Sequence, residues 1–147
     1  MNYLTLGSVI RDEEHYVQEW LTFHYIIGVE QFVIILHNCV DRTEERIRAL
    51  PFADRINIHK VVNDVKNPQM SGFAWIVEHY GHTTEWLTLL DSDEFMFGTI
   101  EDDLKNVLVK YEGYGGLFAH FESDYGIATD ATENTTSLSH FHASKIR

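Results

Sequence analysis

Two periodicities alternate along this chain. Tyr3 to Ile10 (YLTLGSVI) is a compact apolar run suited to a buried strand. Asp12 then reads as a helix N-cap, with Glu13 and Glu14 in the first turn, where acids favour the helix dipole. Tyr16, Val17, Trp20, Leu21, His24 and Ile27 recur at three- and four-residue steps, which predicts one face of an amphipathic helix closed by Gly28. QFVIILH (Gln31 to His37) is rich in β-branched residues and nearly all apolar, as in a strand covered on both faces. The turn HNCVD leads into a second helix, which the Leu50-Pro51 step ends. Arg55 to Val62 alternates as a third strand. Asn67-Pro68 opens another helix with Pro68 at its first position, Met70, Phe73, Ala74, Val77 and Tyr80 on its buried side, and Gly81 at its end. Trp86 to Leu90 (WLTLL) predicts a fourth strand. Thr99 and Asp102 resemble a capping pair before a helix carrying Leu104, Val107, Leu108 and Tyr111, and Gly115 to Phe121 predicts a fifth strand.

Strand and helix thus alternate, which predicts an α/β fold: a mostly parallel sheet, joined by right-handed crossovers, with helices on both faces. At 147 residues the chain is one domain's worth. Residues 1–121 form the α/β unit, and 122–147 form a tail rich in Ser and Thr with weak periodicity. The polar turns RDEE, HNCVD and DSDE follow strands one, two and four. All three are expected on the carboxyl rim of the sheet, where open α/β sheets bind ligands.

Composition narrows the options. A content of 44% hydrophobic residues is enough to offset ordering entropy without crosslinks. A single cysteine, Cys39, excludes an internal disulfide and fits a reducing compartment. The amino-terminal stretch lacks a basic lead-in and a small-residue cleavage site, and no run approaches the ~18–20 apolar residues of a membrane span. A soluble, cytoplasmic protein is expected. Eleven basic against twenty-three acidic residues give a net charge of −12, which argues against nucleic-acid binding. An anionic small ligand is still allowed if a metal or helix ends supply local positive charge. His140 and His142, two apart, would share a face in a strand.

The acids carry the candidate chemistry. Asp91 and Asp93 stand two apart at the end of a strand and can point the same way. Two carboxylates held together prefer to share a proton unless a cation is present. Mg²⁺ or Mn²⁺ removes that conflict and keeps positions open for water or substrate phosphates. A solvated turn, with either acid bonding backbone amides, explains the D-x-D pattern equally well by itself. Asp41-Arg42-Thr43-Glu44 fits a D-x-x-E capping box, and a rim carboxylate at Asp41 could also bond a nucleobase or ribose. Glu13, in a helix's first turn, has the same two readings. Lys66, Asn67 and Gln69 precede or open a helix whose amino end either faces phosphates or is a plain exposed cap. Trp20, Trp75 and Trp86 read as core residues.

The motifs as an ordered series resemble glycosyltransferase family 2-like and family 92-like proteins. The resemblance rests on Asp12-Glu13, Glu19-Trp20, His24 with Gly28-Val29, the strand ending in Asn38 and Asp41, Gln69 with Ala74, and WLTLLDSDEF, across roughly Leu4 to Phe97. It implies a GT-A fold, a nucleotide-diphosphate sugar donor (a UDP-sugar first), Mn²⁺ or Mg²⁺, and a glycan or other hydroxyl acceptor. It implies that Asp91 faces the donor's ribose or sugar and shares metal binding with Asp93, that Asp41 and the Glu13 turn line the base pocket, and that Gln69 lies near the donor. Transfer would invert the anomeric carbon, with a carboxylate base activating the acceptor hydroxyl.

The family's acceptor half and base lie after the fifth strand. Here only the tail follows, so the expectation is a GT-A fold incomplete on its carboxyl-terminal side. Glu122 and Asp124 are the acids placed to act as base, and His140 or His142 could complete the metal site. Apolar surface left by a missing half could support a homodimer. Two other classes stay open. One is a nucleotide-sugar-binding remnant or scaffold without turnover. The other is a D-x-D phosphatase with Asp91 as nucleophile, although Phe95 stands where that class places Thr or Val.

Overall fold

A computed structural model describes residues 1–118 and 142–144. Six strands form one sheet in the order β3-β2-β1-β4-β6-β5. They are β1 (Asn2–Ile10), β2 (Gln31–His37), β3 (Ile56–Val61), β4 (Thr84–Leu89), β5 (Gly116–Phe118) and β6 (His142–Ser144). The first four are mutually parallel, with Gly7 opposite Val33 on one side and Leu89 on the other. Strand β6 joins antiparallel between β4 and β5. The helices are α1 (Val17–Ile26), α2 (Thr43–Arg48), α3 (Pro68–Tyr80) and α4 (Leu104–Leu108).

Alternation along the strands builds a core on each face. Leu4, Leu6, Ile10, Phe32, Ile34, Leu36 and Trp86 meet Val17, Trp20 and Leu21 of α1, Ile47 of α2 and Leu104 and Leu108 of α4. Val33, Ile35 and Leu87 point the other way and meet Ile76 of α3. A mostly parallel α/β sheet with helices on both faces is therefore the observed fold.

The sequence reading needs correction in four places. Asp12 does not cap α1: it adopts positive φ (54°) in the connecting turn, and α1 starts at Val17 after an uncapped Tyr16. Asp41-Arg42-Thr43-Glu44 is not a capping box. Asp41 bonds Thr43 and Glu14, whereas Glu44 pairs with Arg48 (2.9 Å) and Lys60 (2.6 Å). The buried side of α3 is rotated by about one residue from the expected stripe. Gly72 and Ile76 are buried, while Met70, Ala74 and Val77 are exposed. The cause is close approach to the sheet: a Cβ at Gly72 would lie 2.4 Å from Val9 Cγ2. Finally, Asp103, not Thr99 with Asp102, caps α4 by accepting from Lys105 N. The end of α1 is as expected, with Gly28 at φ 108°.

Candidate functional site

The chain winds outward from β1 through β2 to β3, then crosses by α3 to β4 on the other side of β1. The two loops that leave β1 and β4 therefore diverge at this switch point and open a crevice beyond the strands' carboxyl ends. A cleft of about 330 Å³ lies there, with Arg11, Glu13, His37, Gln69, Asp91 and Asp93 among its lining residues. The amino end of α3 forms one wall. Its N-cap is Asn67, whose side chain accepts from Met70 N, and Pro68 occupies the first turn.

Asp91 is the most constrained acid in the cleft. The side-chain amide of Gln69 donates to its Oδ1. Burial, then the charge of Asp93, raise the Asp91 carboxyl above its ordinary range, against the opposing effect of Gln69. A cation would relieve that unfavourable charging. Two carboxylates on one wall suit Mg²⁺ or Mn²⁺, which need few protein ligands because water and phosphate complete their shell. The residues present fit such an ion as a partial site. Among the described residues, no group of three or more His, Cys, Asp or Glu forms a full metal cage.

The acidic loop is tied at several points. Asp91 N donates to Glu94 Oε2 (3.0 Å) and Glu94 N donates to Asp91 O (3.1 Å), which closes the turn on itself. Ser92 Oγ donates to Glu13 Oε1 (3.1 Å), linking this loop to the one after β1. Trp20 Nε1 donates to Glu94 O (2.7 Å), and Met96 N donates to His24 Nε2 (3.2 Å). Because His24 Nε2 accepts, its proton sits on Nδ1, which donates to Trp20 O at 2.8 Å. His24 has no exposed surface, and burial lowers its pKa to about 4, so it is neutral in the folded protein at neutral pH.

Asp41 is absent from the cleft lining and ties the first two rim loops together instead. Its Oδ2 accepts from Glu14 N (3.0 Å), and its Oδ1 accepts from Thr43 N (2.9 Å) and Thr43 Oγ1 (2.6 Å). Burial acts to raise this carboxyl, but the bonds from Thr43 and Glu14 outweigh it and hold it below its usual range. Asp12 Oδ1 reciprocates by accepting from Val40 N (2.8 Å) and Asp41 N (3.3 Å). Thr43 Oγ1 in turn accepts from Glu13 N (2.8 Å), which places the Glu13 carboxylate at the cleft.

The structure thus brings Glu13, Gln69, Asp91 and Asp93 to one cleft and sets Asp41 beside it. Glu122, Asp124 and His140 lie outside the described residues, and of His142 only the backbone position in β6 is described. Sequence reasoning passed over Ser92, Glu94, His37 and the polar atoms of Trp20 and His24. The signal for the last two was available, since an indole N–H and an imidazole on a buried helix face each need a partner.

Comparisons with known proteins bear on the fold. No protein-family model matches the sequence. A glycosyltransferase family 92 protein of Oryza sativa subsp. japonica is 28% identical over 107 residues, covering 70% of this chain and 18% of its own length. One of Ricinus communis is 31% identical over 92 residues, covering 63% of this chain and 16% of its own. Over these stretches the chain is similar to glycosyltransferase family 92 proteins. Staphylococcus aureus TarS, solved in complex with UDP, superposes with a TM-score of 0.61 at 12% identity, over 89% of this chain and 38% of TarS. A 4-diphosphocytidyl-2C-methyl-D-erythritol synthase gives 0.54 at 11% identity, over 99% and 76%. These structural likenesses establish the GT-A type of fold for this chain. The chain spans less than a fifth of the curated relatives it matches.

Proposed function

We propose that this chain carries the donor half of a metal-dependent glycosyltransferase, which moves a sugar from a nucleotide-diphosphate sugar, a UDP-sugar first, to an acceptor hydroxyl. The observation that carries the reading is the convergence of Asp91, Asp93, Gln69 and Glu13 on the crevice at the sheet's switch point. Asp93 and Asp91 would hold Mn²⁺ or Mg²⁺, which when bound supplies positive charge for a departing diphosphate. Gln69 holds the Asp91 carboxylate from the α3 side. The positive end of the α3 dipole and the guanidinium of Arg11 favour an anionic donor locally, against the protein's net charge of −12. An inverting displacement needs a base on the acceptor side. Glu122 and Asp124 are the acids proposed for it, with a glycan or other hydroxyl as acceptor.

Calorimetric titration with UDP, GDP and CMP, each with and without Mn²⁺, tests the assignment. The expected outcome is Mn²⁺-dependent binding of one nucleoside diphosphate that Asp93→Ala abolishes. Equal binding with EDTA present, or unchanged binding by the variant, refutes the site. Metal-dependent binding with no transfer to any hydroxyl acceptor would instead favour a nucleotide-sugar-binding module.

A further inference from the structure

We infer that Trp20 and His24 of α1 are positioning residues for the acidic loop, setting the spacing and orientation of Asp91 and Asp93 for the cation and diphosphate. This rests on the donor-site reading above and adds the element that holds the site in shape.

Two acids on one short loop repel when both are charged, and Asp91 is half-buried. Left to itself, such a loop would relax by swinging Asp91 outward as well, to join the already exposed Asp93. The structure shows what opposes this. Trp20 and His24 are one helical turn apart, so their side chains leave α1 on the same face. The indole N–H of Trp20 fixes the carbonyl of Glu94, whose amide and carboxylate both close back onto the backbone of Asp91. His24 accepts the amide of Met96, two residues further along, and its ring stacks on Phe95 at 5.8 Å with 16° between the planes. Phe23 meets the other side of the contact edge-on, with its ring centre 5.1 Å from Phe95. Glu94, Phe95 and Met96 are therefore each held by the same helix.

Both polar atoms of the clamp are tuned for the task. His24 can accept from Met96 only while Nε2 is unprotonated, and its other nitrogen is committed to the carbonyl of Trp20. Trp20 is 1% exposed, so its N–H has no access to water as an alternative partner. The clamp reaches the acids through the backbone and leaves their carboxylate oxygens free for a ligand, except where Gln69 bonds Asp91.

The test compares the wild type with His24→Phe, which keeps a ring against Phe95 but removes the acceptor, and His24→Gln, whose amide oxygen can still accept. Trp20→Phe removes the indole donor, together with part of the ring's volume, and serves as a second variant if His24→Phe does not fold. Two readouts are taken: amide hydrogen exchange of residues 94–96, and UDP affinity with and without Mn²⁺. His24→Phe is expected to speed exchange at Met96 and to weaken Mn²⁺-dependent UDP binding about tenfold, the usual cost of losing a residue that orients a metal ligand. His24→Gln is expected to restore most of both, and metal-free UDP binding should not move. Unchanged exchange at residues 94–96 overturns the clamp. Faster exchange with unchanged Mn²⁺-dependent affinity overturns its positioning role. A wild-type chain that shows no Mn²⁺-dependent nucleotide binding overturns the donor-site reading, and the functional role of the clamp falls with it.

Discussion

Asp91 carries a conflict that the bond from Gln69 only partly offsets. Its carboxyl is raised by burial and by Asp93, so in the folded chain the protonated form is favoured relative to an unfolded carboxyl. Wherever the group is ionised, that ionisation works against folding. Asp91→Asn keeps an oxygen to accept from Gln69 and removes the charge. The metal-free variant is therefore expected to melt above the wild type at pH 7. The gap should narrow as pH falls toward the raised carboxyl range, where wild-type Asp91 takes up a proton anyway. Mn²⁺ should stabilise the wild type but not the variant. A melting temperature at pH 7 no higher than wild type would mean that the Asp91 charge carries no such cost. Asp41 is the opposite case: a carboxylate answered by three donors from the two rim loops. The sequence around the two acids looks equally acidic. What separates them is the donors the fold brings near.

At the scale of elements, α3 controls how closely its amino end, with Gln69, approaches the strands. It packs onto β1 and crosses from β3 to β4, and Gly72 lets it come within contact of Val9, which also lines the cleft. Gly72→Ala should gain up to about 1 kcal/mol in helix propensity. It also forces a Cβ against a β-branched side chain at 2.4 Å, and overpacking of that kind costs about 1–3 kcal/mol. We expect a net loss of about 1 kcal/mol in urea unfolding, with nucleotide affinity reduced because Gln69 moves with the helix. A more stable variant would show that α3 can lift from β1 without strain. The existence and order of the parallel strands and of α1 and α3 were legible from periodicity, proline and glycine. The buried side of α3 was not. Gly72 contributes no apolar signal although it marks the nearest approach, and Met70, Ala74 and Val77 look buried by composition alone.

Across the whole molecule, the charge of −12 opposes any anionic ligand, and the local features of the cleft must overcome it. Without metal, UDP binding should strengthen as salt rises from about 10 mM to 0.1 M, since the Debye length shrinks from about 30 to 10 Å and screens the distant acids. With saturating Mn²⁺ the dependence should flatten or reverse, because close cation–phosphate contacts then dominate. Calorimetry over that salt series checks the sign, and metal-free binding that weakens with salt would place the diphosphate against basic groups instead. Among the described residues no helix is long and apolar enough to cross a membrane.

What the sequence determined by itself was the alternation of strand and helix, the placing of acids at strand ends, and an ordered set of motifs like those of family 92. These are local or additive properties, read from one stretch at a time. The tertiary structure decided which acids share a cleft, that Asp41 binds loops together instead of lining it, and that Trp20 and His24 reach over seventy residues along the chain to hold Glu94 and Met96. Those outcomes depend on hydrogen-bond partners distant in sequence. A side chain's neighbours, more than its own chemistry, set whether a buried polar atom is structural or available to a ligand.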